Sequence, residues 1–350
     1  MSQSQHSTDV RAMERQDFLA QHGYPHISLE ALPVDASARR YFRLKDQGVL
    51  LMDAPPALEP LGPYVQVATL LTGLGLSAPK VLAFDEALGL ALIEDFGHNT
   101  YTRLLSQGHA PAPLYELAID ALAALHQTPK DAGAVLPAYN EARLEDELAL
   151  FIDWYVPELL GHAPDSALRS AYLALFNGLC DEVAQRRETV VLRDFHVDNL
   201  MLLEGREGVS ACGLLDFQDA LHGAAAYDVM SLLEDARRDV PEELQASLLD
   251  RYFTKRPEVD HEQFAADYVT LAAQRHAKVL GIFVRLAKRD GKFTYLTHLP
   301  RVLRLFVKAL DNPPLHSLRD FLDCHVPGWR FDLAPEALDA LRTRTSSFSE

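Results

Sequence analysis

Cysteine is scarce in this chain. Cys180, Cys212 and Cys324 are its three cysteines in 350 residues, far apart and without C-x-x-C spacing. That excludes a disulfide scaffold, argues against structural zinc and fits a reducing compartment. Long apolar runs are missing too. No stretch approaches the roughly 18–20 apolar residues of a membrane span. The segment Met1 to Tyr24 is polar and charged, with no apolar centre of a signal peptide. The expectation is a soluble cytoplasmic protein with no membrane partner. Basic residues are outnumbered: Lys and Arg total 33 against 50 Asp and Glu, for a formal net charge of −17. Such a balance argues against nonspecific binding to nucleic acid or anionic lipid. It also poses a puzzle for any phosphate ligand, which the chain repels on average. No H-E-x-x-H occurs, and the H-x-x-x-H pair His22 and His26 encloses Gly23 and Pro25, so no helical zinc pair is expected. There is no internal repeat, low-complexity linker or sign of an obligate protein partner.

What remains is an ordinary globular composition, 48 % hydrophobic and 24 % charged, long enough for two domains or lobes. The first ninety-odd residues carry strand signals at 40–44 (RYFRL), 49–53 (VLLMD), 80–85 and 88–94, with one helical pattern at 63–74. After Gly97 the spacing turns helical. Leu114, Leu117, Ala118, Ala121, Leu122 and Leu125 share a face, as do Leu144, Leu148, Phe151, Ile152 and Tyr155. Short strand-like pieces at 189–192, 200–203 and 212–215 interrupt the helices. The tail 343–350 reads as frayed. This predicts an α+β chain with a small β-rich lobe, residues 1–95, and a larger helical lobe, residues 96–350.

The densest polar cluster on an apolar framework runs from Val190 to Asp219. A strand leads into Arg193-Asp194, Asn199 follows five residues after Asp194, and Asp216 ends the next-but-one strand. Taken singly, each is also a turn former or a cap. Taken together they form a chemical set. A carboxylate and an amide oxygen are hard ligands suited to Mg²⁺, which fills the rest of its shell with water and phosphate oxygens. A second carboxylate can take the proton of an attacking hydroxyl. Phosphoryl transfer divides the labour in that way.

D-x-x-x-x-N-L followed by L-L-D-F resembles the catalytic core of the aminoglycoside phosphotransferase and protein-kinase-like superfamily. SARRYFRL at 37–44, LMDAPP at 51–56, DFQDA at 216–220, Ala226-Tyr227-Asp228 and the 274–292 segment resemble one branch more closely, the bacterial anomeric kinases of N-acetylmuramate and N-acetylglucosamine. The resemblance spans roughly residues 30–310. It implies a two-lobed kinase-like fold using ATP and Mg²⁺ to phosphorylate the C1 hydroxyl of an amino sugar in cell-wall recycling. It implies Asp194 as catalytic base, Asn199 and Asp216 as metal ligands, and Glu94 at the segment offering backbone groups to adenine. Ser37 to Arg40 would form the loop over the phosphates, and Asp228 would support the catalytic loop.

Two positions depart from the pattern. Leu192 stands where many relatives have histidine. The third strand has Met52 near the place of a phosphate-reaching lysine, so another cation must serve. Arg40 and Arg43 are candidates; being three apart on a strand they face opposite ways, and Arg40 is preferred. For the sugar, the candidates are Asp219, Arg275 and Trp154, with Gln274, His276, Lys278 and Arg285 on the same helical stretch. The alternatives for that stretch are a solvated cationic face and, for Trp154, core packing. Alternative functions are another small-molecule hydroxyl kinase of this fold, acting on an aminoglycoside, choline or homoserine, or a non-catalytic nucleotide-binding scaffold.

Overall fold

The computed structural model describes residues 2–33 and 38–330. Ser37 therefore lies outside the described residues. The chain divides into two compact units, Met1–Leu125 with Val197–Ala220, and His126–His196 with Leu221–Glu350. The change from strand to helix texture near residue 95 falls within the first unit.

The first unit opens with helix α1 (Ser2–Gln21) and strands β1 (Leu29–Ala31), β2 (Arg40–Leu44) and β3 (Val49–Asp53). Helix α2 (Gly62–Gly73), strands β4 (Val81–Asp85) and β5 (Leu90–Glu94), and helices α3 (Tyr101–Ser106) and α4 (Pro111–His126) follow. The chain continues into the second unit with α5 (Glu141–Leu150), a π-helical turn Phe151–Tyr155, α6 (Val156–Leu160), α7 (Ser166–Ala184) and β6 (Thr189–Val191). It returns to the first unit for β7 (Leu200–Leu202) and β8 (Cys212–Leu214). It then re-enters the second for β9 (Leu221–Gly223), α8 (Ala226–Leu233), α9 (Glu242–Lys255), α10 (His261–Asp290), α11 (Leu299–Leu310) and α12 (His316–His325).

Strands β1 to β5 form one antiparallel sheet in the order β1-β2-β3-β5-β4. Side chains alternate between its faces. Val49, Leu51 and Leu44 lie on the face that receives Phe18 and Leu19 of α1, closing a core with Leu90 and Leu92. Asp53 belongs to the same face. It is 2 % exposed and holds α1 through Arg11 (2.8 and 2.5 Å) and Arg15 (2.7 Å). The opposite face carries Tyr41, Arg43 and Met52, because Tyr41 pairs with Met52 and Arg43 with Leu50. The β7–β8 hairpin is tied in by Leu214 N–H donating to Ser77 O (2.8 Å) and Leu202 N–H donating to Asn99 O (2.9 Å).

The spine of the second unit is α10, 30 residues long, capped by Asp260 at one end and stopped by Gly291 at φ +68° at the other. Its central face is buried, Gln274, Arg275, His276 and Lys278 included. Gly281 permits a close crossing: a Cβ there would stand 2.1 Å from the Leu150 carbonyl oxygen, where α5 passes into the π-helical turn. Strands β6 and β9 pair antiparallel, Val190 opposite His222. Among the described residues no helix is long and apolar enough to cross a membrane.

Candidate active site

Asp194 lies in the second unit, just past β6. Its neighbour Arg193 has φ +70°, a left-handed conformation that costs a non-glycine residue and persists only where the surroundings hold it. Two groups do so. The Asp228 carboxylate, in the first turn of α8, accepts from Leu192 N–H (2.6 Å) and Arg193 N–H (2.9 Å). The Arg193 guanidinium is paired with Glu147 of α5. Leu192 thus leaves the loop's support to the backbone amides that Asp228 collects, and no histidine is needed at that position.

Glu147 is a hub that the amphipathic reading of 144–155 passes over. It is 7 % exposed and accepts from Lys278 Nζ (2.8 Å), Gln274 Nε2 (2.8 Å) and Tyr139 OH (2.5 Å) besides Arg193. Burial works to raise its pKa, but Lys278 and Arg193 overcome that and hold it at about 2. The signal available in sequence is an acid on the apolar face between Leu144 and Leu148. Arg275 and Lys278 accordingly turn inward, while Arg289 near the end of α10 is exposed. Gln274 and Lys278, four residues apart, share a partner.

Arg275 approaches Asp194, Nη2 at 3.9 Å from Oδ1, while its Nε donates to Ser231 Oγ (3.0 Å). The Asp194 side chain is 41 % exposed. Desolvation pushes its pKa up, and Lys278, Arg275 and Arg193 more than offset it, leaving the carboxylate below its ordinary value and ionised at neutral pH. Burial drives Asp228 the other way, to about 7, against the two amides it accepts from. Trp154 sits half-buried in the π-helical turn.

Asn199 and Asp216 lie in the first unit, and the β7–β8 register brings them together. Leu200 pairs with Leu214, and Leu215 N–H donates to Asn199 O (2.9 Å), so Asp216 is the next residue beyond the one facing Asn199. Asp216 has φ +55° and is exposed, followed by buried Phe217, which stacks on Tyr64 at 5.0 Å. Gln218 Nε2 donates to both Asp216 Oδ1 (2.9 Å) and Asp219 Oδ2 (3.3 Å), which sets Asp219 beside Asp216. Among the described residues no group of three or more His, Cys, Asp or Glu forms a metal cage. One carboxylate and one amide oxygen instead match an ion such as Mg²⁺, which keeps most of its shell for water and phosphate.

Glu94 ends β5. Its N–H already donates to Lys80 O (2.9 Å), and its carboxylate is paired with Arg206, which also donates to Ser77 Oγ (2.7 Å). Arg40 pairs with Asp53 in the sheet register and so lies on the face of α1, exposed to solvent. Arg43 lies on the other face, where Asp95 takes its Nε and Nη2 (2.5 and 3.0 Å). Arg40 and Arg43 thus face opposite ways, as their spacing on the strand predicts.

A family model described as phosphotransferase enzyme family matches residues 28–266. A Caulobacter vibrioides protein named N-acetylmuramate/N-acetylglucosamine kinase is 36 % identical, over 89 % of this chain and 95 % of its own length. One of the same name from Pseudomonas aeruginosa is 41 % identical, over 80 % of this chain and 83 % of its own. Among solved structures, a choline kinase from Streptococcus pneumoniae superposes with a TM-score of 0.59 at 14 % identity, covering 85 % of this chain and 99 % of that one. At that identity the likeness is one of fold.

Proposed function

Since the chain belongs to the phosphotransferase enzyme family, we propose that it transfers the γ-phosphoryl group of ATP to the C1 hydroxyl of N-acetylmuramate and N-acetylglucosamine. The chemistry rests on one observation: the β7–β8 register sets Asn199 beside Asp216, and an ionised Asp194 precedes Asn199 by five residues. The choice of sugar rests on the two relatives of that name, 36 and 41 % identical over most of the chain. Asp194 takes the hydroxyl proton as the C1 oxygen forms its bond to phosphorus. The bond from phosphorus to the β–γ bridging oxygen breaks, giving a sugar 1-phosphate and ADP. Asn199 and Asp216 would hold Mg²⁺, whose charge offsets that of the phosphates. Arg275, beside Asp194, is suited to orient the acceptor, with Asp219 and Trp154 as further candidates for the sugar. Residues 1–95 form the nucleotide-binding lobe and 96–350 the catalytic and sugar-binding lobe in this reading. Free Cys180, Cys212 and Cys324 accord with the reducing cytoplasm, where ATP is supplied.

The test is incubation with ATP, Mg²⁺ and a panel of alcohols, with phosphorus NMR of the product. A phosphate on C1 of either amino sugar is expected. Turnover of an aminoglycoside, choline or homoserine instead would overturn the sugar assignment. Asp194→Asn should lower kcat by roughly 10²–10⁴ while keeping nucleotide binding, the range for a lost general base.

A further inference from the structure

The third strand has no lysine, so a triphosphate held near Asp216 needs another cation from the first unit. Register and pairing account for the obvious ones. Arg11 and Arg15 are held by Asp53 on the α1 face, and Arg40 lies on that same face. Arg43 is gripped by Asp95, and Arg206 by Glu94.

Arg39 is different. It stands one residue before β2, and its side chain is 9 % exposed. Glu59, three residues ahead of α2, takes its Nε at 2.7 Å and at the same time accepts from Ala38 N–H at 2.7 Å. One carboxylate thereby fixes both the guanidinium and the backbone of the segment carrying it. Arg39 also donates to the hydroxyl of Tyr41, which lies on the Met52 face of the sheet. Burial raises the pKa of Tyr41 and of Tyr64; Arg39 opposes the rise in both, and Asp216 adds to it in both. Arg39 and Asp216 therefore act on the same two phenols, and Tyr64 stacks on Phe217, the residue after Asp216.

We infer that Arg39, oriented by Glu59, is the cation that meets the ATP phosphates in place of a third-strand lysine. The inference deepens the kinase reading and rests on it. A guanidinium offers a planar fork to phosphate oxygens, which suits an immobile, pre-oriented group better than a flexible ammonium. Glu59 supplies the orientation in advance, so less ordering is left to ligand binding.

The test measures binding of MgATP and of adenosine to the full chain, with melting temperatures, for wild type, Arg39→Gln, Arg39→Lys and Glu59→Gln. Arg39→Gln should weaken MgATP at least tenfold, leave adenosine unchanged and leave the KM of the sugar unchanged. Arg39→Lys should recover part of that loss, and Glu59→Gln should fall between the two. Equal loss of MgATP and adenosine would mean a merely structural role, and unaltered MgATP binding by Arg39→Gln would sink the inference outright. Wild-type protein that binds no ATP would remove both proposals. Wild type that binds ATP but phosphorylates no amino sugar would remove only the sugar assignment, because the binding comparison still decides Arg39.

Discussion

Glu147 and Asp228 both hold the Leu192–Arg193 segment, and their pKa values move in opposite directions. Glu147 ionises at about 2 instead of 4.5, because Lys278 and Arg193 outweigh its burial. Its contribution to stability is present above pH 4.5 and is lost as pH falls towards 2. Asp228 is raised by burial from 3.8 to about 7. The folded state holds that proton more tightly than the unfolded chain, so this contribution is present below pH 3.8 and lost as pH rises through about 7. Denaturant titrations across pH should therefore show Glu147→Gln flattening the acid limb and Asp228→Asn flattening the decline towards neutrality. Asp228→Asn should also cost about 1–3 kcal/mol, since an amide oxygen can replace only one of the two acceptors. Slopes identical to wild type would contradict both assignments.

At the scale of elements, α1 and the sheet depend on each other through Asp53. A polar, charged N-terminal segment gives no sequence reason for a helix, and α1 owes its place to Phe18 and Leu19 in the core and to Arg11 and Arg15 on Asp53. Removing one partner of a buried ion pair leaves the other charges uncompensated. Asp53→Ala is expected to destabilise by about 3–5 kcal/mol. Substituting both arginines should cost less than the sum of that loss and a separate loss of α1, because the same contacts are counted twice. Thermal melts of the single and combined variants check this. Strand 40–44 was legible from alternation and 49–53 as a short apolar run, and they match β2 and β3 residue for residue. Strands β1 and β9, three residues each, were not, because their pairing partners and not their own composition make them strands.

For the whole molecule, the charge of −17 repels anions at long range, while the cations around Asp194 act locally. The Debye length shrinks from about 30 Å at 0.01 M salt to about 8 Å at 0.15 M, so salt screens the first effect more than the second. N-acetylmuramate carries a carboxylate and N-acetylglucosamine does not. On the proposed function, kcat/KM for N-acetylmuramate should rise relative to that for N-acetylglucosamine as salt is added. A ratio that falls would show that Arg275 and Lys278, rather than the net charge, govern encounter.

The chemical set Asp194, Asn199 and Asp216, the alternating strands and the long helical faces were all readable in the chain, because each depends on residue type and local spacing. The β7–β8 register brings Asn199 and Asp216 together. Other features depend on groups far apart in sequence. Arg40 turns to the α1 face because Asp53 lies opposite it, and Gln274 and Lys278 turn inward because Glu147, more than a hundred residues earlier, waits there. Arg39 stood beside Arg40 in the same motif, with nothing in the local pattern to prefer it. Its partner Glu59 lies 20 residues on, beyond strands β2 and β3. A buried charge is stable only where its counter-charge is, and that location is a property of the folded chain.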